Sequence, residues 1–297
     1  GGETWSLLND NIPGNPEYWV SRVEASHHTP GRAYISYTGY RRDDFDAFVY
    51  MTDDYGETWT DISSNLPDYG PINVVREHHQ NPDLLFVGTE FQVWVSADRG
   101  ANWVSMKNDM PTNPVHDLQI HPRENDLIVA THGRGIYIAD IAPLAQLTPE
   151  VMASDAHLFT PESKVRWIAS DRQNSAYHNF RGENEPMAIP VFNWLGSDAD
   201  DVSVEVYQGA VMIAELEAET DAGMHEVQWD MERRVERSAA DQARMRERFG
   251  DRMSEEQIRY ESADAPIGTY RFVLTVDGQR TEAHASILRD EWWMQRR

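Results

Sequence analysis

The stretch Thr52-Asp53-Asp54-Tyr55-Gly56-Glu57-Thr58-Trp59 recurs as Ser96-Ala97-Asp98-Arg99-Gly100-Ala101-Asn102-Trp103, and the two Trp residues stand 44 positions apart. The shared pattern is Ser/Thr-x-Asp-x-Gly-x-x-Trp. Gly2-Glu3-Thr4-Trp5 has the form of the tail of a third copy. Such a pattern describes a tight turn between two strands. The Asp carboxylate accepts hydrogen bonds from turn N–H groups. Gly supplies a positive φ, and Trp opens the next strand and packs under the turn.

The flanks repeat as well. Asn11-Ile12-Pro13, Asn65-Leu66-Pro67 and Asp109-Met110-Pro111 close the polar turns that follow each box. Pro71–His78 aligns with Pro114–His121, Leu84–Thr89 with Leu127–His132, and Val93–Ser96 with Ile136–Ala139. Four short strands in a period of about 40 to 50 residues are the signature of a β-propeller blade. Blade material is expected from Trp19 to Trp59, from Ile72 to about Lys107, and from Val115 to Ile141, the last without a box. The Gly39–Asp46 loop is an insertion relative to the second repeat.

These boxes resemble the Asp-boxes of BNR-repeat propellers, found in sialidases and in the sortilin (VPS10) ectodomain. With Thr131-His132-Gly133-Arg134-Gly135-Ile136-Tyr137, the pattern over residues 1–145 resembles large bacterial sortilin-like proteins. The resemblance implies that Asp54, Gly56, Trp59, Asp98, Gly100 and Trp103 are structural, at an outer turn away from the axis where ligands bind.

With 297 residues, the chain is long enough for two domains. The opening inside a motif leads to the expectation that it is the C-terminal part of a longer protein, with any targeting segment upstream. A formal net charge of −24 argues against nucleic-acid and anionic-membrane partners. Zero cysteines exclude disulfides and thiolate chemistry. No apolar run approaches the roughly 18 residues of a membrane-spanning helix.

Residues 146–186 read as a connector, with a short docking helix, brief strands at His157–Phe159 and Val165–Trp167, and a polar loop carrying Arg172, His178, Arg181 and Asn184. From Met187 the hydrophobic period changes to two, and Asp277-Gly278 is a two-residue hairpin turn. The order of Trp229-Asp230, Gly268-Thr269-Tyr270 and Asp277-Gly278 resembles FlgD-type Ig-like domains, over roughly residues 187–290. A helical insertion is expected at about 231–262. Met231–Phe249 reads as helix, Gly250 breaks it, and Ser254 with Gln257 forms a capping box. The tail, 291–297, carries Trp292 and Trp293. The expected fold is therefore all-β: a partial propeller of Asp-box blades, then an Ig-like β-sandwich with a helical insertion.

No sialidase-type set of arginines, Tyr/Glu pair and acid/base Asp is recognisable. Asp43-Asp44, Asp53-Asp54 and Asp200-Asp201 read as turns or polar loops rather than a glycosidase pair. His27-His28 and His78-His79 occupy equivalent strand ends, and neighbours on a strand point to opposite faces, which disfavours a metal. No metal or cofactor is expected. Glu90, His132 and Arg134 follow the second strand of their blades, so they and Tyr40 are the candidates at one rim. Phe249, Trp292 and Trp293 are candidates for gripping a partner.

These features predict a non-enzymatic binding or scaffolding module of a secreted or periplasmic protein. Its expected partners are proteins: the rest of its own propeller and an envelope or membrane complex such as a respiratory or photosynthetic assembly. The alternatives are a sialidase-like glycoside hydrolase with its catalytic residues mainly upstream, and a sortilin-like peptide receptor.

Overall fold

The computed structural model describes residues 3–14, 16–107, 110–168 and 186–294, with the backbone alone at Asp251, Trp293 and Met294. The chain forms two compact units, Gly1–Met152 and Ala153–Arg297.

The first unit contains three antiparallel sheets, each running up and down in chain order. The first holds β1 (Trp19–Ala25), β2 (Ala33–Thr38), β3 (Phe48–Thr52) and β4 (Thr60–Asp61). The second holds β5 (Ile72–Glu77), β6 (Leu85–Thr89), β7 (Val93–Ser96) and β8 (Val104–Ser105). The third holds β9 (Val115–Ile120), β10 (Asp126–Thr131) and β11 (Ile136–Asp140), and the short helices α1 (Ala142–Gln146) and α2 (Pro149–Met152) follow it. This is the strand plan of propeller blades.

The middle sheet is covered on both faces, so β6 is buried throughout. That is why Leu84–Val87 reads as a continuous apolar run rather than an alternation. Leu85 and Val87 join Tyr34, Val49 and Trp103 in one cluster, while Leu84 and Phe86 join Val115, Leu118 and Leu127 in another. Gly88 permits the approach of the third sheet, since a Cβ there would lie 2.6 Å from Val115 Cγ1 and 2.7 Å from Val74 Cγ1.

Charges lace the first strands together. Arg22 on β1 pairs with Asp117 on β9 at 2.7 Å, skipping the middle sheet. Arg76 on β5 pairs with Glu24 at 2.5 Å and Asp117 at 3.2 Å. The buried Glu77 carboxylate accepts from Ser26 Oγ (2.9 Å), the His27 N–H (2.7 Å) and Tyr34 OH (2.8 Å). Burial and that neighbouring carboxylate push the Tyr34 phenol up from its ordinary range.

The second unit packs two sheets around one core. The smaller has the order β12 (Ala156–Leu158), β14 (Ile189–Leu195), β17 (Gly223–Trp229). The larger has the order β13 (Lys164–Arg166), β21 (Gln279–Arg289), β20 (Gly268–Val276), β15 (Val202–Gln208), β16 (Val211–Glu217). The stretch read as a connector thus supplies β12 and β13. Alternation holds cleanly. Val202, Val204 and Val206 turn inward with Ile189, Val191, Tyr270, Phe272 and Leu274. Trp229 meets Tyr270 edge-on at 4.8 Å. Asn193 is the polar exception on an inward position of β14.

The expected helical insertion begins differently from its sequence reading. Glu232–Glu236 is a strand, β18, paired with β19 (Tyr260–Asp264), and α3 (Ala239–Phe249) and α4 (Glu255–Arg259) sit at the far end of that hairpin. Helix propensity over Met231–Glu236 loses to hairpin pairing, because both ends of the excursion leave the core together at Met231 and Ala265. Arg166 ties that base by donating from Nη1 to Ala265 O at 2.5 Å and from Nη2 to Met231 O at 2.7 Å. Ser254 and Gln257 form the expected capping box, and Gly250 ends α3 with φ 46°. The tail contributes α5 (Glu291–Met294). No described helix is long and apolar enough to cross a membrane.

Candidate binding groove on the first unit

The two ends of the blades do different work. At one end lie the Asp turns. Asp54 accepts from Thr58 N (2.8 Å), Thr58 Oγ1 (2.6 Å) and Thr52 Oγ1 (2.8 Å). Asp98 accepts from Asn102 N (2.8 Å), Asn102 Nδ2 (2.7 Å) and Ser96 Oγ (2.8 Å). The Thr58 donors, with Thr52 behind them, hold the Asp54 carboxyl down at about 2. For Asp98, burial pushes upward, but the Asn102 and Ser96 donors outweigh it and the net shift is downward.

Gly56 and Gly100 have φ of 89° and 86°, and the preceding Tyr55 and Arg99 are also left-handed, at 62° and 58°. Sequence reasoning expected only the glycines there. The extra left-handed residue lets Tyr55 N reach Gly31 O (2.9 Å) and Arg99 N reach Asp83 O (2.8 Å), tying each turn to the first hairpin of its own blade. Trp103 Nε1 donates to Ile62 O of the preceding blade at 2.7 Å. Trp59 Nε1 donates instead to its own Gly56 O at 3.2 Å.

The opposite end carries a groove of about 660 Å³. In β1, β5 and β9 the pairing register skips one residue at the same place, between Val20 and Arg22, between Ile72 and Val74, and between Val115 and Asp117. The residues left out of the ladder are Ser21, Asn73 and His116, and all three line the groove. Bulges re-aim side chains in this way. Tyr40, Glu90 and His132, each placed after the second strand of its blade, line it too. The His116 and His132 rings lie 4.9 Å apart, and Asn73 Nδ2 donates to Glu90 Oε1 at 3.1 Å.

Backbone bonds repeat along this rim. Glu90 N donates to Pro71 O (3.2 Å) and His132 N to Pro114 O (2.9 Å). Gly70 N donates to Phe45 O (2.8 Å) and Asn113 N to Phe91 O (3.1 Å), linking each blade to the next. Phe45, Tyr69 and Phe91 form a row, with centroids 5.0 and 5.4 Å apart. Tyr69 is 58% exposed.

Of the four rim candidates, the groove takes in Tyr40, Glu90 and His132 but not Arg134. Gly133 and Gly135, with φ of 77° and 93°, turn that residue outward at the tip of the β10–β11 hairpin. The bulge residues and the aromatic row were missed from sequence. Their signal was present: Asn73 and His116 align in the repeat, each two residues after a Pro.

The other candidates lie elsewhere. Phe249 is half-buried on α3 with Arg248 over its ring at 5.3 Å, and Trp292 is exposed on α5. The Trp293 side chain, and Arg172, His178, Arg181 and Asn184, lie outside the described residues. A second cavity of about 570 Å³, between β16 and the β18–β19 hairpin, takes in neither Phe249 nor Trp292. Asp53 pairs with Arg32 at 2.6 Å, and Asp200 N and Asp201 N donate to Asp277. Among the described residues no cluster of three or more His, Asp or Glu has metal-binding geometry.

Residues 47–190 match the Sortilin-Vps10 family model, described as sortilin, neurotensin receptor 3. That match spans just under half of the chain and supports a fragment of a sortilin- or BNR-type propeller. No curated protein matches. Among solved structures, the chain is similar to PorZ, a bacterial surface component of the type-IX secretion system of Porphyromonas gingivalis. The identity is 11%, the TM-score is 0.35, and the alignment covers 92% of this chain and 31% of that one. It is also similar to the extracellular domain of a putative one component system from B. thetaiotaomicron, with 12% identity, TM-score 0.32, and coverage of 91% and 31%. A third is the GH74 xyloglucanase from Xanthomonas campestris, with 10% identity, TM-score 0.34, and coverage of 89% and 38%. The chain spans about a third of the length of these structures.

Proposed function

We propose that this chain is a non-enzymatic binding module, secreted or periplasmic, that engages a protein partner through the rim groove of its first unit. The observation that carries the reading is the triple bulge. Three successive blades break their ladders at one equivalent position and turn Ser21, Asn73 and His116 into one cavity. Bulges are over-represented beside binding and active sites, where they re-aim side chains.

A hydrolase reading gains no support from this groove. Glycoside hydrolysis needs two carboxylates facing each other across the sugar. Among the described lining residues, Glu90 is the only carboxylate.

The second unit fits an Ig-like sandwich whose insertion and C-terminal helix add area for an envelope assembly. A photo-crosslinking residue at Tyr69, compared with one at Tyr55 on the opposite end, tests the reading in the native host. Crosslinking to one partner from Tyr69 only is the expected result. Equal labelling from both positions, or none from Tyr69, overturns it.

A further inference from the structure

We propose that the rim groove recognises a basic side chain, arginine or lysine, presented on an extended peptide segment; this rests on the binding reading above. The first warrant is how the chain treats its own arginines. Arg234 lies over the Tyr260 ring at 3.8 Å and pairs with Glu256 at 2.6 Å. Arg259 lies over the same ring at 5.2 Å and pairs with Glu236 at 2.8 Å. Arg271 lies over Tyr207 at 4.6 Å and pairs with Glu282 at 2.9 Å. In each case an aromatic ring and a carboxylate hold one guanidinium between them.

The groove offers the same two groups. The Phe45–Tyr69–Phe91 row borders Glu90, the sequence neighbour of Phe91. No lysine or arginine is among the described lining residues; Arg41, which donates its Nε to the hydroxyl of the lining Tyr40 at 3.0 Å, is not one of them.

The second warrant is charge complementarity. Glu90 is the one full charge among the described lining residues, and the chain as a whole carries −24. That field draws in a cation and repels an anionic peptide. The third is the shape of the wall. The aromatic row forms an apolar strip along which the methylene stem of Arg or Lys packs while its head reaches the carboxylate. The rim N–H groups of Glu90 and His132 are already bonded to Pro71 and Pro114, which leaves recognition to side chains.

Isothermal titration with three acetylated, amidated nonapeptides tests this. They share a Gly/Ser frame and carry arginine, citrulline or glutamate at the centre, and a neutral cello-oligosaccharide serves as a fourth probe. The arginine peptide is expected to bind about tenfold more tightly than the citrulline peptide, and the glutamate peptide and the oligosaccharide are expected to show no binding. Glu90→Gln is expected to bring the arginine peptide down to the citrulline level, and Tyr69→Ala to weaken both. Raising the salt should weaken the arginine peptide alone.

Equal binding of arginine and citrulline peptides, lost in Tyr69→Ala, overturns the charge claim and leaves the groove as a binding site. Binding of the oligosaccharide alone overturns the peptide claim. If none of the probes binds the folded parent protein at millimolar concentration, the proposal fails, whatever the crosslinking shows.

Discussion

The two ends of the blades obey the same repeat in different ways. At the Asp-turn end the residues themselves recur: Asp54 and Asp98, Gly56 and Gly100, Trp59 and Trp103, with a hydroxyl ahead of each Asp at Thr52 and Ser96. At the groove end only the positions recur. The bulges hold Ser21, Asn73 and His116, and the loops hold Tyr40, Glu90 and His132. Backbone geometry dictates the first end, because a turn with two left-handed residues and several N–H groups to satisfy accepts few side chains. The second end has its backbone satisfied by rim bonds, so its side chains are free to differ. Identity of residues marks a stability element here, and equivalence of position without identity marks the surface proposed for recognition.

The strongest way to break that comparison is to cut away the turn-end tryptophans. Trp103 is 2% exposed, sits in the cluster joining the first two blades and bonds to Ile62 across the joint. Trp103→Ala is expected to cost about 3–5 kcal/mol. Trp59, half-buried and bonded within its own turn, should cost less than half as much. Hydrogen exchange resolved to the first unit measures both. Equal costs would mean that the joint between blades adds nothing to the turn.

Next in size is a pH effect. His78 is buried, and burial followed by the neighbouring His79 pulls its imidazole down to about 4 from the ordinary 6.5. The unfolded chain therefore takes the proton first on acidification. This contribution is unaltered above about pH 6.5 and is lost as pH falls from there to about 4, by ~3 kcal/mol in all. His78→Asn keeps an acceptor for the Gln80 and Asn81 N–H groups but does not titrate, so it should flatten stability over that window. Asp54 works in a different range: its depressed carboxyl loses its share only between about pH 4 and 2. An unchanged slope in His78→Asn between pH 6.5 and 4 would assign the acid sensitivity to other groups.

The fold was legible where a physical requirement leaves a residue signature. Asp, Gly and Trp gave the turns, the period gave the blades, and strict alternation in Val202–Tyr207 gave a strand with one buried face. Ser254 and Gln257 gave a helix start. The strand β18 was hidden because Glu232–Glu236 is made of residues that suit a helix equally well. Only its pairing with β19, some 24 residues later, decides the matter. The candidate groove was half-legible for a related reason. Loop position pointed to Tyr40, Glu90 and His132, but a one-residue register skip leaves no mark in a single strand. It shows only when Ser21, Asn73 and His116 are seen beside partners that pass them by.

Asp98→Ala comes next and should cost about 2 kcal/mol, because it removes the acceptor of three donors at a partly buried turn. The rim substitutions are expected to be smallest. Glu90→Gln and His132→Ala should stay within about 0.5 kcal/mol of the parent. Tyr69→Ala should cost about 1 kcal/mol for its stacked neighbours. Thermal unfolding of this set against Asp98→Ala sharpens the comparison most directly. Should Glu90→Gln destabilise as much as Asp98→Ala, the Asn73–Glu90 bond is a brace between strand and loop, and the bulges exist to close the rim. If Glu90→Gln and His132→Ala unfold with the parent, the Asn73–Glu90 bond does not brace the rim, which is the outcome expected of side chains kept for what enters the groove.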